Sequence, residues 1–202
     1  MKRFLCTNIV RLLYSLIFFA GVNLYLVKNL LPSPMWKGLP FACLFILAFP
    51  VFFKNLPETA RLRFCAKGCE LLILFLISTV FSLLFFLLGA SGFLGFSPIW
   101  ETPLLWILNS LWAFLGEALI FWTGILEVYL SSVQLGIRLR VIGLLCGMIP
   151  LVNLVVLGFI IHTVSEEANF ENKKILQDRQ RSKEAICATK YPILLVHGVF
   201  FR

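Results

Sequence analysis

One stretch limits what this chain can fold into: the 26 residues from Leu71 to Phe96 carry no charged side chain. A helix satisfies every backbone N–H and C=O within itself, and about 20 apolar residues at about 1.5 Å each cross a hydrocarbon core of about 30 Å. The stretch therefore predicts a membrane-crossing helix. Composition extends the argument to the rest of the chain. Of its 202 residues, 60% are hydrophobic, 14% are charged and 21 are Phe, whereas soluble domains run at about 45–50% apolar and about 25% charged. The formal net charge is +8. In a chain this apolar, that excess points to cytoplasmic loops and lipid headgroups. No nucleic-acid-binding motif is visible, so the expected partner is the lipid bilayer.

Four further apolar runs are expected to cross or enter the membrane. A short basic start (Lys2, Arg3, Arg11) precedes Leu12 to Leu31, which is too long for a signal-peptide core and has no clear cleavage site after it. It reads as a retained signal anchor, with Lys28 able to snorkel to the interface. Leu39 to Phe53 has Pro40 and Pro50 near its ends. As a helix it spans about 22 Å, so it is a thin span or a re-entrant segment. Residues 54–70 form the most basic loop, with Lys54, Arg61, Arg63 and Lys67 against Glu58 and Glu70. Leu104 to Leu130 is a long apolar helix, and Ser131 to Arg140 a polar connection. Val141 to Ile161 is interrupted by Gly143, Gly147, Pro150, Asn153 and Gly158.

The composition then changes abruptly. Between Glu166 and Glu184 lie ten charged residues, acids mostly first and bases mostly later, the order that suits a helix dipole. Thr163-Val164-Ser165-Glu166 fits a capping box. A solvated helical linker is expected to begin there. The division is residues 1–165 as the transmembrane helical domain, 166–189 as the linker and 190–202 as the start of another domain.

Lys and Arg number three before the first run, four in the 54–70 loop and two in the 131–140 connection, against two in residues 28–38 and none in 97–103. The positive-inside rule then puts the N-terminus in the cytoplasm. Five spans place the C-terminal domain outside, in keeping with a bacterial plasma-membrane protein. If the broken fifth run is re-entrant, that domain is cytoplasmic instead.

The last residues carry the strongest functional signal. Tyr191-Pro192-Ile193-Leu194-Leu195-Val196-His197-Gly198 has a short apolar run of the kind that forms a buried parallel strand. Pro192 stands at its first position, where a missing N–H is tolerated. The pattern resembles the first core strand and oxyanion loop of bacterial lipases and esterases of the α/β-hydrolase fold. The resemblance covers about a dozen residues. It implies that the amide of Val199, after His197 and Gly198, is a donor to the oxyanion of acyl transfer, and that His197 orients the loop. No Gly-x-Ser-x-Gly nucleophile turn occurs in the chain, and the family requires one followed by an acid and a His. The expectation is an N-terminal portion of a carboxylic-ester hydrolase, without activity of its own and with a lipid or ester substrate for the intact parent. The fold class expected is mainly α: about five apolar spans, a charged helical linker and the first strand of a truncated α/β-hydrolase domain.

Other candidates carry weaker chemistry. Glu117 and Glu127 lie within an apolar helix, about 80° apart around its axis, and with Asn109 could line one broad face. An intramembrane carboxylate is a functional hypothesis by default. A proton or ion path is one reading; the other makes Glu127 interfacial and leaves Glu117 protonated or paired with a neighbouring helix. Cys65 and Cys69 are four apart and lack two further metal ligands nearby, so they read as free thiols or membrane-proximal acylation sites in a cytoplasmic loop. His162 and Glu166 fit a helix-end contact. No cofactor or metal is expected. A non-enzymatic membrane module, or a small transporter-like bundle, is the alternative function.

Overall fold

The computed structural model describes residues 2–28, 32–48, 57, 59–92, 99, 101–146 and 150–183. Their regular elements are all helices: α1 Lys2–Val22, α2 Leu24–Val27, α3 Ser33–Ala48, α4 Ala60–Ala90, α5 Pro103–Ser131, α6 Ile137–Cys146 and α7 Pro150–Lys183. No strand occurs among the described residues, and the expected strand over 193–196 with the His197-Gly198-Val199 loop lies outside them.

The expectation of five spans is corrected. Only α4 and α5, of 31 and 29 residues, are long and apolar enough to cross a membrane among the described helices. The first run is broken at Asn23 between α1 and α2. The second yields the 16-residue α3, with Pro40 inside it. The fifth is split, because α6 ends at Cys146 and a new helix starts at Pro150. Proline, which lacks an N–H to donate to a preceding turn, suits that first position.

Two boundaries also differ from expectation. The basic loop is helical from Ala60 onward. Thr59 caps it from an extended conformation, its hydroxyl accepting the Leu62 N–H at 3.4 Å, which satisfies one orphan donor of the first turn. The charges that suggested a loop are used between helices, as described below. At the other end α7 runs unbroken through 163–166. The Thr163 hydroxyl donates back to the Phe159 carbonyl at 2.9 Å, a bond made within a helix and not at its start. The second part of the apolar run, from Pro150, and the charged linker as far as Lys183 are therefore one helix.

α4 is the shared element of the core. On one side Leu71 and Leu74 join Phe18 and Val22 of α1, Ile46 of α3 and Ile120 of α5. On the other, Cys65, Cys69 and Leu72 join Ile125 and Val128 of α5 with Leu157, Ile160 and Val164 of α7. The α4–α5 contact is close because Gly68 has no side chain. A Cβ there would stand 2.9 Å from the Gly124 oxygen and 3.0 Å from the Val128 nitrogen. Small residues at such crossings let backbones approach where lipid offers no hydrophobic drive. After α4, Gly92 takes φ 81° and its N–H bonds the Gly89 carbonyl at 2.9 Å, a left-handed termination that glycine adopts freely.

Ion pairs fix the direction of α7. Its Glu167 and Glu171 both meet Arg61 in the first turn of α4. The charged half of α7 thus leaves the bundle at the end where α4 begins. Arg11 pairs with Glu70 at the same end, as does Lys67 with Glu127 at 2.6 Å.

Candidate functional site

Polar groups inside this apolar bundle form two tiers. The first lies where α4 begins, α5 ends and α7 passes. Glu167 is fully buried there. Arg61 Nη1 donates to its Oε1 at 2.8 Å, and the Val133 and Gln134 amides donate to its two oxygens at 3.0 and 3.1 Å. The Ser132 hydroxyl donates to Oε2 as well. Arg61 also reaches the Ser131 carbonyl at 3.1 Å, and Arg140 the Ser132 carbonyl at 2.7 Å. One carboxylate therefore ties together α4, α7 and the α5–α6 connection. Burial pushes its pKa up, but the bonds from Ser132, Val133, Arg61 and Gln134 outweigh that and hold it below the ordinary carboxylate value,. Nothing in the sequence singled out Glu167 from its charged neighbours. Its role depends on chain turns that bring Ser132 to Gln134 against α7.

The second tier crosses the middle of the bundle. No charged residue of α4 follows Glu70, and the 20 residues from there to Ala90 rise about 30 Å, the thickness of a hydrocarbon core. Glu117 is ten residues before Glu127 on α5, about 15 Å along the axis, so it lies near the middle of that interval. The Ser78 hydroxyl donates to its Oε1 at 2.6 Å and the Thr79 hydroxyl to its Oε2 at 3.3 Å. Farther along, Asn109 Nδ2 donates to Asn23 Oδ1 at 3.0 Å, and Asn23 Nδ2 donates to Ser82 Oγ at 3.1 Å. The break at Asn23 is thus the point where α1 is stitched to α4 and α5. Asn109 is 2% exposed, and its Oδ1 has no partner among the described residues.

The candidates named from sequence separate accordingly. Glu117 and Glu127 each bond a side chain of α4, and Asn109 bonds Asn23 at the α1–α2 junction. Glu117 has polar partners on a neighbouring helix and Glu127 has a lysine. Cys65 and Cys69 are not in a loop but in α4, 0% and 5% exposed, and sit in the packing with α5 and α7. His162 Nε2 stands 3.6 Å from Glu166 Oε1, both side chains exposed, on the flank of α7 and not at a helix end. Among the described residues no group of three or more His, Cys, Asp or Glu is placed to hold a metal ion. His197, Gly198 and Val199 lie outside the described residues.

The chemistry this arrangement supports is interhelical fastening. Every acceptor of the second tier except Asn109 Oδ1 is bonded within the bundle, and the hydroxyls that meet Glu117 are themselves donors in use. No family model, no curated protein and no solved structure matches this chain.

Proposed function

We propose that this chain is a membrane-anchoring helical module for a carboxylic-ester hydrolase of lipase or esterase type, whose catalytic part starts in residues 190–202. The observation that carries the anchoring role is α7. It begins in the apolar packing and continues without a break for 34 residues into a charged half, with Glu167 and Glu171 clamped to Arg61. Such a helix holds whatever follows it at a set distance from the bilayer. Support for the enzyme comes from the sequence match at Tyr191 to Gly198, and the substrate it implies is an ester presented at a lipid–water interface.

The same geometry supports a side of the membrane. The end that holds Arg11, Arg61, Arg63, Lys67, Arg138 and Arg140 opposes the end with Lys28 and Lys37. The positive-inside rule makes the first end cytoplasmic. α7 leaves there, so this reading puts the catalytic part in the cytoplasm, as a re-entrant fifth run requires, and not outside as five spans do.

Two measurements test the proposal. The protein encoded through and beyond Arg202 should label with a fluorophosphonate serine probe at a Gly-x-Ser-x-Gly turn, while the 202-residue chain should not. Absence of that turn downstream removes the hydrolase and leaves a non-enzymatic membrane module. A green fluorescent protein fused at the C-terminal end should fluoresce and an alkaline phosphatase fused there should be inactive. The reverse pair would overturn the orientation.

A further inference from the structure

A groove of about 190 Å³ runs between α1, α3 and α5, walled by Phe18, Val22, Leu44, Leu47, Trp112 and Leu119 among others. Its floor is close because Gly116 lacks a side chain: a Cβ there would stand 2.6 Å from Val22 Cγ1. The one N–H in its wall is already used, since Trp112 Nε1 donates to the Gly21 carbonyl at 2.9 Å. Water needs two to four polar partners to settle in a cavity, and among the described residues this wall adds only the Cys43 thiol, a weak donor,. A methylene chain needs none.

One end of the groove is different. Along α3 the lining residues Pro40, Leu44 and Leu47 are preceded by Lys37 at the same helical spacing,. Along α1 and α2 the stripe Phe18, Gly21, Tyr25 ends in Lys28, three residues on. The Lys28 Nζ lies 5.8 Å from the centre of the Tyr25 ring, and the Lys37 Nζ 5.7 Å from that of Trp36. Tyr25 in turn stands edge-on to Trp112 at 6.5 Å. Neither lysine has a carboxylate partner among the described residues. Amphipathic rings with lysines are the side chains that mark a membrane interface. An apolar slot whose α1 and α3 stripes continue to two lysines, unpaired with any carboxylate among the described residues, complements an amphiphile with an acyl chain and an anionic head.

We propose that this groove binds one acyl chain of an anionic phospholipid, whose phosphate is held by Lys28 and Lys37. This goes beyond the anchoring role and does not depend on it: the lipid is a bound ligand of the bundle, not a substrate.

The test uses the full chain in mixed micelles with equal phosphatidylglycerol and phosphatidylcholine, read by native mass spectrometry. The chain should retain one phosphatidylglycerol in preference to phosphatidylcholine. Lys28→Gln and Lys37→Gln should each reduce that preference about fivefold, the change that about 1 kcal/mol per basic residue near a bilayer gives. Leu44 is 61% exposed, so Leu44→Trp can fill the slot without disturbing the core, and it should lower retention of both lipids at least fivefold. Leu126→Trp, on an exposed part of α5 outside the groove, should change neither. Equal retention of the two lipids by the parent, or an unchanged preference in the double lysine variant, overturns the proposal. So does a Leu44→Trp effect no larger than that of Leu126→Trp. A dimer that forms without lipid and is lost in Leu44→Trp assigns the groove to a second copy and overturns it too. Should Leu44→Trp lose helicity by circular dichroism, the lysine pair decides alone.

Discussion

Glu167 and Glu117 are the same residue type in the same bundle, the first fully buried and the second half-buried, and the protein treats them differently. Glu167 has a guanidinium, two backbone amides and a hydroxyl on its two oxygens. Glu117 has hydroxyls alone, from Ser78, Thr79 and Ser82. The first set supplies opposite charge and donors for most of the carboxylate's lone pairs, so an ionised group can be buried. The second supplies no charge at all. Position explains the division: Glu167 lies in the tier where the basic residues gather, and Glu117 lies in an interval of α4 and α5 that offers none. The difference teaches that the charged tier fixes the architecture of this bundle, while the mid-span tier adds alignment to helices already packed by their small and apolar residues.

The largest effect should therefore come from the first tier. Glu167→Ala leaves Arg61 without one of its two carboxylates and strands the Ser132 hydroxyl with two amides. Breaking a buried pair costs about 3–5 kcal/mol, and about 3 is expected because the Arg61 side chain is 35% exposed. In detergent, thermal unfolding should drop accordingly, and protease should enter the charged half of α7 while α4 and α5 survive. A loss below about 0.5 kcal/mol would erase the distinction between the tiers.

Gly68 asks whether packing alone could hold that end. It lies one residue from Lys67, and its missing Cβ admits Val128 and Gly124. Gly68→Val should cost about 2 kcal/mol, within the overpacking range of about 1–3, with the Lys67–Glu127 pair pulled apart. Gly158 of α7 is the control: among the described residues nothing lies within 4 Å of a Cβ built there, so Gly158→Ala should stabilise by a few tenths of a kcal/mol or more, as helix propensity predicts.

Much of this was open to a reader of the sequence, and some could not be. Leu104 to Leu130 coincides with α5 almost to the residue, because a charge-sparse helix bounded by Pro103 and Ser131 announces both its ends. Residues 60–70 read as a loop because their basic side chains suit water; Arg61 and Lys67 are instead answered by Glu167 and Glu127, from 106 and 60 positions away. No local pattern encodes such pairings. The α6–α7 break was marked by Pro150, but which side the chain resumed on was not. Of the candidate site, Glu117 was visible as an anomaly, whereas its partners Ser78 and Thr79 are ordinary residues of an apolar run. Residues 190–202, where the hydrolase resemblance resides, lie outside the described residues.

A smaller effect should appear on acidification. The folded pKa of Glu167 is lowered, so its ionised form contributes stability that is present above the unfolded glutamate value of about 4.3 and is lost as pH falls through the lower folded value. Stability should be flat from pH 7 to about 5 on this account and decline in more acidic solution. Glu167→Gln should be less stable at neutral pH and should lose part of that acid slope. An identical slope in both proteins would assign the acid sensitivity to other carboxylates and leave Glu167 a neutral strut.

The smallest effect is expected from Glu117→Gln. The glutamine carbonyl can still accept the Ser78 hydroxyl, and its amide can donate to Thr79, whose hydroxyl can turn to bond its own helix. No ion pair is broken, since Glu117 has none among the described residues. Interhelical hydrogen bonds within membranes are worth about 0.6 kcal/mol on average, so the change should be of that order. A double-mutant cycle with Ser78→Ala measures it cleanly: the coupling between the positions should be under about 1 kcal/mol. A coupling of about 3 kcal/mol, comparable to the Arg61–Glu167 tier, would mean that Glu117 carries charge in the folded bundle. Ser78 and Thr79 would then be stabilising an anion near the middle of the span, a state that calls for a cation the described helices do not supply, and the fastening role assigned to this tier would give way to an ion site.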